Sequence, residues 1–259
     1  MKSNNILIFG LGHLASFLVR ELDADADIWG TYRSQVKDPA LARVNKVRFD
    51  TTDDIPVELS KDWGVVIWNL PPHDGYMETL KEFNSKTPES CPWIFISSTS
   101  VYSDGDIDED SKKDGVTRNG ALLTGIESQL LGFSRQVLIL RPGGLVDSTR
   151  NPVNFLKEKS SMRAADTPVN LVHTQDVARF MAYMIKMELY SQDYNLVSDD
   201  HPGRALFYSQ IMACHNLTPP KWSTDDSVHR LISNRKSKST GFNYLHPNLL
   251  EYFKSISNE

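Results

Sequence analysis

Cysteine is scarce in this chain of 259 residues: only Cys91 and Cys214 occur, far apart, with no His or Cys at metal-ligand spacing. That argues against a disulfide scaffold and a structural zinc site, and no metal is expected. Long apolar stretches are missing too. The longest runs, such as Ile6-Leu7-Ile8-Phe9 and Val137-Leu138-Ile139-Leu140, fall far short of the ~20 residues a membrane span needs. Positive charge is in deficit, with 28 Lys+Arg against 33 Asp+Glu, a net charge of −5 and a pI ≈ 5.8. A mildly acidic chain lacks the basic face that nucleic-acid backbone binding requires, so neither nucleic acid nor membrane is expected as a partner. The strand-like run beginning at Ile6 leaves no room for a leader, and a cytoplasmic location is the expectation. What is present is ordinary for a globular protein: 40% hydrophobic and 24% charged residues.

The pattern along the chain predicts an α/β fold. Ile6–Phe9 is apolar without alternation, as in a parallel strand buried on both faces. Further strands are read at Asp27–Thr31, Val47–Phe49, Gly64–Trp68, Trp93–Ser97 and Gln136–Leu140. Helices are read around His13–Leu22, Tyr76–Ser85 and Leu122–Leu131. Strand and helix alternating at this pitch predict a doubly wound parallel sheet covered by helices on both sides. We divide the chain into a first domain over 1–165 and a smaller, interleaved C-terminal lobe over 166–259. In that lobe Thr174 is read as the cap of a helix, others are read at Leu206–His215 and after Pro247, and Met181, Met184 and Met187 are read as core packing. The acid-rich Asp104–Asp114 and the basic Arg230–Lys238 read as solvated surfaces.

The strongest local signal is Gly10-Leu11-Gly12-His13-Leu14-Ala15, a G-x-G-x-x-A string between the first strand and the first helix. Gly10 permits the tight turn, Gly12 lets a diphosphate approach the backbone, and Ala15 lets helix and strand pack closely. The N–H groups of His13 and Leu14 then face the anion at the positive end of the helix dipole. Cofactor choice falls to the end of the second strand. An NAD site usually carries an acid there for the ribose 2′-hydroxyl. This chain has Gly30-Thr31-Tyr32-Arg33-Ser34, and Arg33 offers a cation where a 2′-phosphate would sit. NADP is therefore expected, with NAD as the alternative. Asp50, after the third strand, is positioned to accept from the adenine amino group. Asn69-Leu70-Pro71-Pro72, after the fourth, is positioned to close over the cofactor.

With Ser97-Ser98-Thr99-Ser100-Val101-Tyr102 these features resemble the extended short-chain dehydrogenase/reductases, the NAD(P)-dependent epimerase/dehydratase group. Glu127, Leu140-Arg141-Pro142-Gly143-Gly144, Val172-His173-Thr174-Gln175-Asp176-Val177-Ala178 and Tyr194-Asn195-Leu196 match later motifs of that family in order. The resemblance implies that Ser98 polarises a substrate hydroxyl or carbonyl, helped by Thr99. It also implies that Ser100, Asn119 and Arg141 occupy substrate-facing positions. His173 is implied to support the sheet and pocket wall. The family's catalytic tyrosine and lysine, counted back from Glu127, fall on Asn119 and Leu123. Neither can exchange a proton near neutral pH or depress a pKa. The departure, with Thr117 and Gly120 as a Thr-x-x-Gly segment, resembles an atypical subgroup that keeps dinucleotide binding. Two functions are thus expected to compete: an oxidoreductase or epimerase-like protein acting on a small polar or sugar-nucleotide-like substrate, and a silent NADP(H)-binding sensor or scaffold. The resemblance also implies a homodimer. The segments around Val153–Leu156, Arg204–Tyr208 and Arg230–Arg235 are candidates for the substrate pocket.

Overall fold

The computed structural model describes residues 4–73, 75–115 and 117–257. Its central sheet has seven strands: β1 (Asn5–Phe9), β2 (Asp27–Tyr32), β3 (Asn45–Arg48), β4 (Val65–Trp68), β5 (Trp93–Ile96), β6 (Val137–Pro142) and β7 (Asp193–Leu196). Their spatial order is β7-β6-β5-β4-β1-β2-β3, and the pairings from β6 to β3 are parallel. The order reverses between β1 and β4, which is where ligands settle in open α/β sheets. This is the Rossmann arrangement. β4 and β6 are buried at every position, which explains the unbroken apolar sequence of β4 and the Val137–Leu140 run of β6. Within the sheet Phe9 stacks on Trp68, with centroids 4.0 Å apart and planes 2° from parallel, and Phe83 meets both edge-on.

Helices α1 (His13–Glu21), α2 (Tyr76–Lys86), α3 (Arg118–Leu131) and α4 (Thr174–Met187) join these strands. Arg43 closes the end of α1, donating to the carbonyls of Val19 at 2.6 Å and Leu22 at 3.0 Å, where a cation also complements the helix dipole. On α4, Met181 and Met184 are buried as expected of core residues, but Met187 is 51% exposed because the helix ends there. Thr174 opens α4, and its hydroxyl donates to Asp147 Oδ2 at 2.5 Å.

The chain forms two compact units, and the division does not fall at residue 165. One unit comprises Met1–Val101, Asp114–Arg141 and Ala178–Asp193; the other comprises Tyr102–Lys113, Pro142–Val177 and Tyr194–Glu259. The crossings arise because late strands and α4 return to the sheet after the chain has left it. The second unit is built from three short parallel ladders, Gly144–Val146 with Leu171–His173, Ser161–Met162 with Lys221–Trp222, and Gly105–Ile107 with Arg230–Ile232. Its core gathers Leu156, Phe207, Ile211, Met212 and Phe253 from its helices. Among the described residues no helix is long and apolar enough to cross a membrane, and none of them form a group of three or more His, Cys, Asp or Glu able to hold a metal.

Candidate dinucleotide site

The chain turns after β1 at Gly10, whose φ of +96° lies in the region L side chains avoid; a Cβ there would also sit 2.7 Å from the Asn69 carbonyl oxygen. Hydrogen bonds from the neighbouring strand ends pin the turn. Thr31 Oγ1 accepts the Gly10 amide proton at 3.0 Å, and the Thr31 carbonyl accepts from Leu11 at 2.8 Å. Asn69, just past β4, donates from Nδ2 to the Gly10 carbonyl at 3.0 Å. Gly12 then stands at the start of α1 with no side-chain cap, and a Cβ built on it would meet nothing within 4 Å. The leading amides of α1, on His13, Leu14 and Ala15, have no acceptor inside the helix by the geometry of helix ends. The side chains of Leu14 and Ala15 are buried, while the His13 ring lies 5.2 Å from that of Phe17. Backbone donors, an open glycine and a helix dipole together make a cradle for a diphosphate.

A cavity of 510 Å³ opens from this cradle, bordered by Gly10, Gly12, Arg33, Asp50, Pro71 and His73 among others. Arg33 and Asp50 face each other at its rim, Nε to Oδ2 4.0 Å, with the arginine side chain 81% exposed and the aspartate 36%. Thr51 Oγ1 lies 3.1 Å from His73 Nε2, and the His73 ring is edge-on to Tyr76 with centroids 5.2 Å apart. The glycine motif points to neither Thr31 nor His73. Thr31 could have been suspected from its place at the end of β2; His73, behind two prolines, carries no sequence signal.

Beyond β5 the chain enters a tight turn over Thr99–Val101. Ser98 is half-buried and its Oγ accepts the Ser100 amide proton at 3.1 Å; Thr99 is buried and Ser100 half-buried. Below this shelf Ser97 Oγ donates to Glu127 Oε1 at 2.6 Å. Glu127 also receives Arg141 Nε at 2.9 Å and Nη2 at 2.8 Å, and Arg141 Nη1 lies 2.8 Å from Asp193. This corrects the expectation that Arg141 meets substrate. The side chain is 0% exposed, and its guanidinium is held between two carboxylates, as a buried charge must be. Thr117 caps α3, accepting from the Gly120 amide at 3.0 Å, and a Cβ on Gly120 would collide with the Ser100 carbonyl oxygen. The Thr-x-x-Gly segment therefore seats α3 directly on the shelf. On that helix Asn119 is exposed and Leu123 is buried.

In the second unit, burial pushes the His173 imidazole down to about 4, and the His246 ring 4.0 Å away adds to the shift. Its Nδ1 accepts the Gln175 amide proton at 3.1 Å, so the ring stands neutral. Tyr102 is buried and donates to Asn195 Oδ1 at 3.1 Å. Glu109, from the acid-rich segment, does not belong to a solvated surface: it is 6% exposed and accepts the Asn195 amide proton at 2.7 Å. This unit also holds a slot of 430 Å³ lined by Phe155 and Tyr208, whose rings meet edge to face, and rimmed by Arg150, Asn151 and Asn154.

No protein-family model matches the chain. Protein YeeZ of Escherichia coli (strain K12) is 32% identical over an alignment of 267 residues that covers 95% of this chain and 97% of that protein. Among solved structures, a candidate NAD-dependent epimerase/dehydratase from Methylobacillus flagellatus superposes with a TM-score of 0.80 over 100% of both chains, at 21% identity. The human epimerase family protein SDR39U1 (isoform 2), solved with NADPH, superposes with a TM-score of 0.75 over 98% of this chain and 99% of that one, at 14% identity. At these identities the solved structures speak for the fold, whereas the likeness to YeeZ over nearly the whole length speaks for kinship. The chain belongs to the family of YeeZ, and its fold is that of the epimerase/dehydratase-type structures on which it superposes.

Proposed function

We propose that this protein binds NADP(H) on the Gly10–Ala15 turn and acts as an oxidoreductase or epimerase-like protein on a small polar or sugar-nucleotide-like compound. One observation carries the reading: α1 starts uncapped at an open Gly12, inside a cavity whose rim presents Arg33. The diphosphate would rest on the first amides of α1, and the planar fork of Arg33 would grip the 2′-phosphate. The nicotinamide supplies or takes up hydride when bound. Ser98 Oγ accepts from the Ser100 amide, which leaves its own proton for a substrate oxygen, with Thr99 beside it in sequence. Asn119 and Leu123 offer neither a proton nor a cation, so a water or a group of the substrate would have to exchange the proton.

Turnover of NADPH against a panel of carbonyl compounds tests the proposal, with Ser98→Ala as the control. The variant is expected to lose at least about tenfold in rate, in keeping with the loss of one polarising donor. Undiminished activity would remove Ser98 from the mechanism. Burial of Leu123 at the lysine position supports the second reading, a sensor without chemistry. A sensor turns over none of the panel and binds NADPH and NADP⁺ with different affinities.

A further inference from the structure

We propose that Asp50 sets the choice between the two nicotinamide cofactors by competing for Arg33. This inference rests on the reading that the cavity takes a dinucleotide. Arg33 follows β2 and Asp50 follows β3, two neighbouring strands paired in parallel with Tyr32 opposite Arg48. The Phe49 amide donates to the Tyr32 carbonyl at 3.0 Å, so the backbone holds the two strand ends together. Both side chains therefore leave the sheet on one rim of the cavity, where they meet at 4.0 Å.

The pair is poised to exchange partners. A contact of this length on a guanidinium that is 81% exposed is a weak one, and Arg33 can leave it at little cost. A 2′-phosphate offers that fork bidentate acceptors and more charge than a carboxylate does. To take it, Arg33 must give up Asp50, whose carboxylate then stands unpaired beside a second anion. A ribose 2′-hydroxyl demands no such exchange, because it can donate to an acid at the rim while the ion pair stays intact. Asp50 thus weighs against NADP(H) and Arg33 weighs for it. The two together make the site less selective than Arg33 would be alone.

Asp50→Asn isolates the effect, since it removes the charge but keeps the size and one acceptor oxygen. NADPH and NADH binding would be followed by nicotinamide fluorescence on the full chain, for wild type, D50N, R33A and the double variant. The expected result is that D50N raises affinity for NADPH relative to NADH by roughly three- to tenfold, and that the same change made on R33A moves the ratio by less than about twofold. An unchanged ratio in D50N overturns the proposal. An equal rise in both backgrounds also overturns it, because Asp50 would then act on the phosphate without Arg33. Wild-type protein that binds neither nucleotide at ~1 mM would instead refute the dinucleotide reading, and the proposal with it.

Discussion

Arg141 and Glu127 meet in two parallel contacts, Nε to Oε1 at 2.9 Å and Nη2 to Oε2 at 2.8 Å, with the arginine side chain 0% and the glutamate 2% exposed. They join β6 to α3, and Ser97 carries the link on to the end of β5. Removing Arg141 leaves the buried Glu127 carboxylate without its cation, which costs about 3–5 kcal/mol, whereas removing Glu127 leaves Arg141 its contact with Asp193 and costs less. Arg141→Met is expected to lower the unfolding free energy by that much, Glu127→Leu by less, and the double variant by less than the sum of the two. Urea denaturation of all four proteins decides it. Additive losses would show that the two side chains do not act as a pair.

Much of this fold is visible in the sequence because of where its strands lie. β1 to β6 begin and end within two residues of the segments read as strands; for β1, β4, β5 and β6 the reason is that a strand buried on both faces leaves a nearly continuous apolar signature. The first turn of α3 is not visible in that way. Arg118, Asn119 and Gly120 bury no apolar side chain, and only the Thr117 cap marks the start. The ladders of the second unit are two or three residues long, too short to show any period. At the site, the glycine turn and Arg33 are legible because their chemistry is local to a motif. The Arg141–Glu127 pair is not, because a motif gives a side chain's place in the chain and not its direction. Glu109 is hidden for a similar reason: a run of acids looks solvated until one of them is seen to hold a backbone amide.

The two glycines of the turn should separate stability from binding. Gly10→Ala puts a Cβ 2.7 Å from a backbone oxygen at a φ of +96°, a strain of about 1–3 kcal/mol. Gly12→Val adds a side chain whose Cβ meets no protein atom within 4 Å, so the fold should change by less than ~0.5 kcal/mol. The same side chain would fill the space meant for the diphosphate, and nucleotide affinity should fall by at least about tenfold. Thermal melting and a nucleotide titration on each variant check both halves. Native affinity in Gly12→Val would place the diphosphate elsewhere.

Thr31 supports the turn without being able to read the 2′ position. It is 1% exposed, and its hydroxyl accepts the Gly10 amide proton. Thr31→Val keeps the shape but removes the acceptor, stranding a backbone donor at a cost of about 1–2 kcal/mol. Because the loss acts on the turn, NADPH and NADH should weaken by the same factor, in contrast to Arg33→Ala. Thr31→Ser should restore both. A variant that changed the ratio of the two affinities would contradict this role.

His173 predicts a slope of stability with pH. In the folded protein burial and the neighbouring His246 hold its pKa at about 4, against the 6.5 of an unperturbed imidazole. Between these values the unfolded chain binds a proton that the folded protein does not, so the contribution is complete above pH 6.5 and is lost as the pH falls towards about 4. A difference of this size corresponds to roughly 3 kcal/mol. His173→Asn keeps an acceptor for the Gln175 amide, which the imidazole holds at 3.1 Å, and abolishes the titration. Urea denaturation across that pH window should therefore give a flatter profile for the variant than for wild type. Equal slopes would mean that His173 takes up its proton as easily in the folded protein as outside it, and that its packing against His246 and Tyr252 does not keep it neutral.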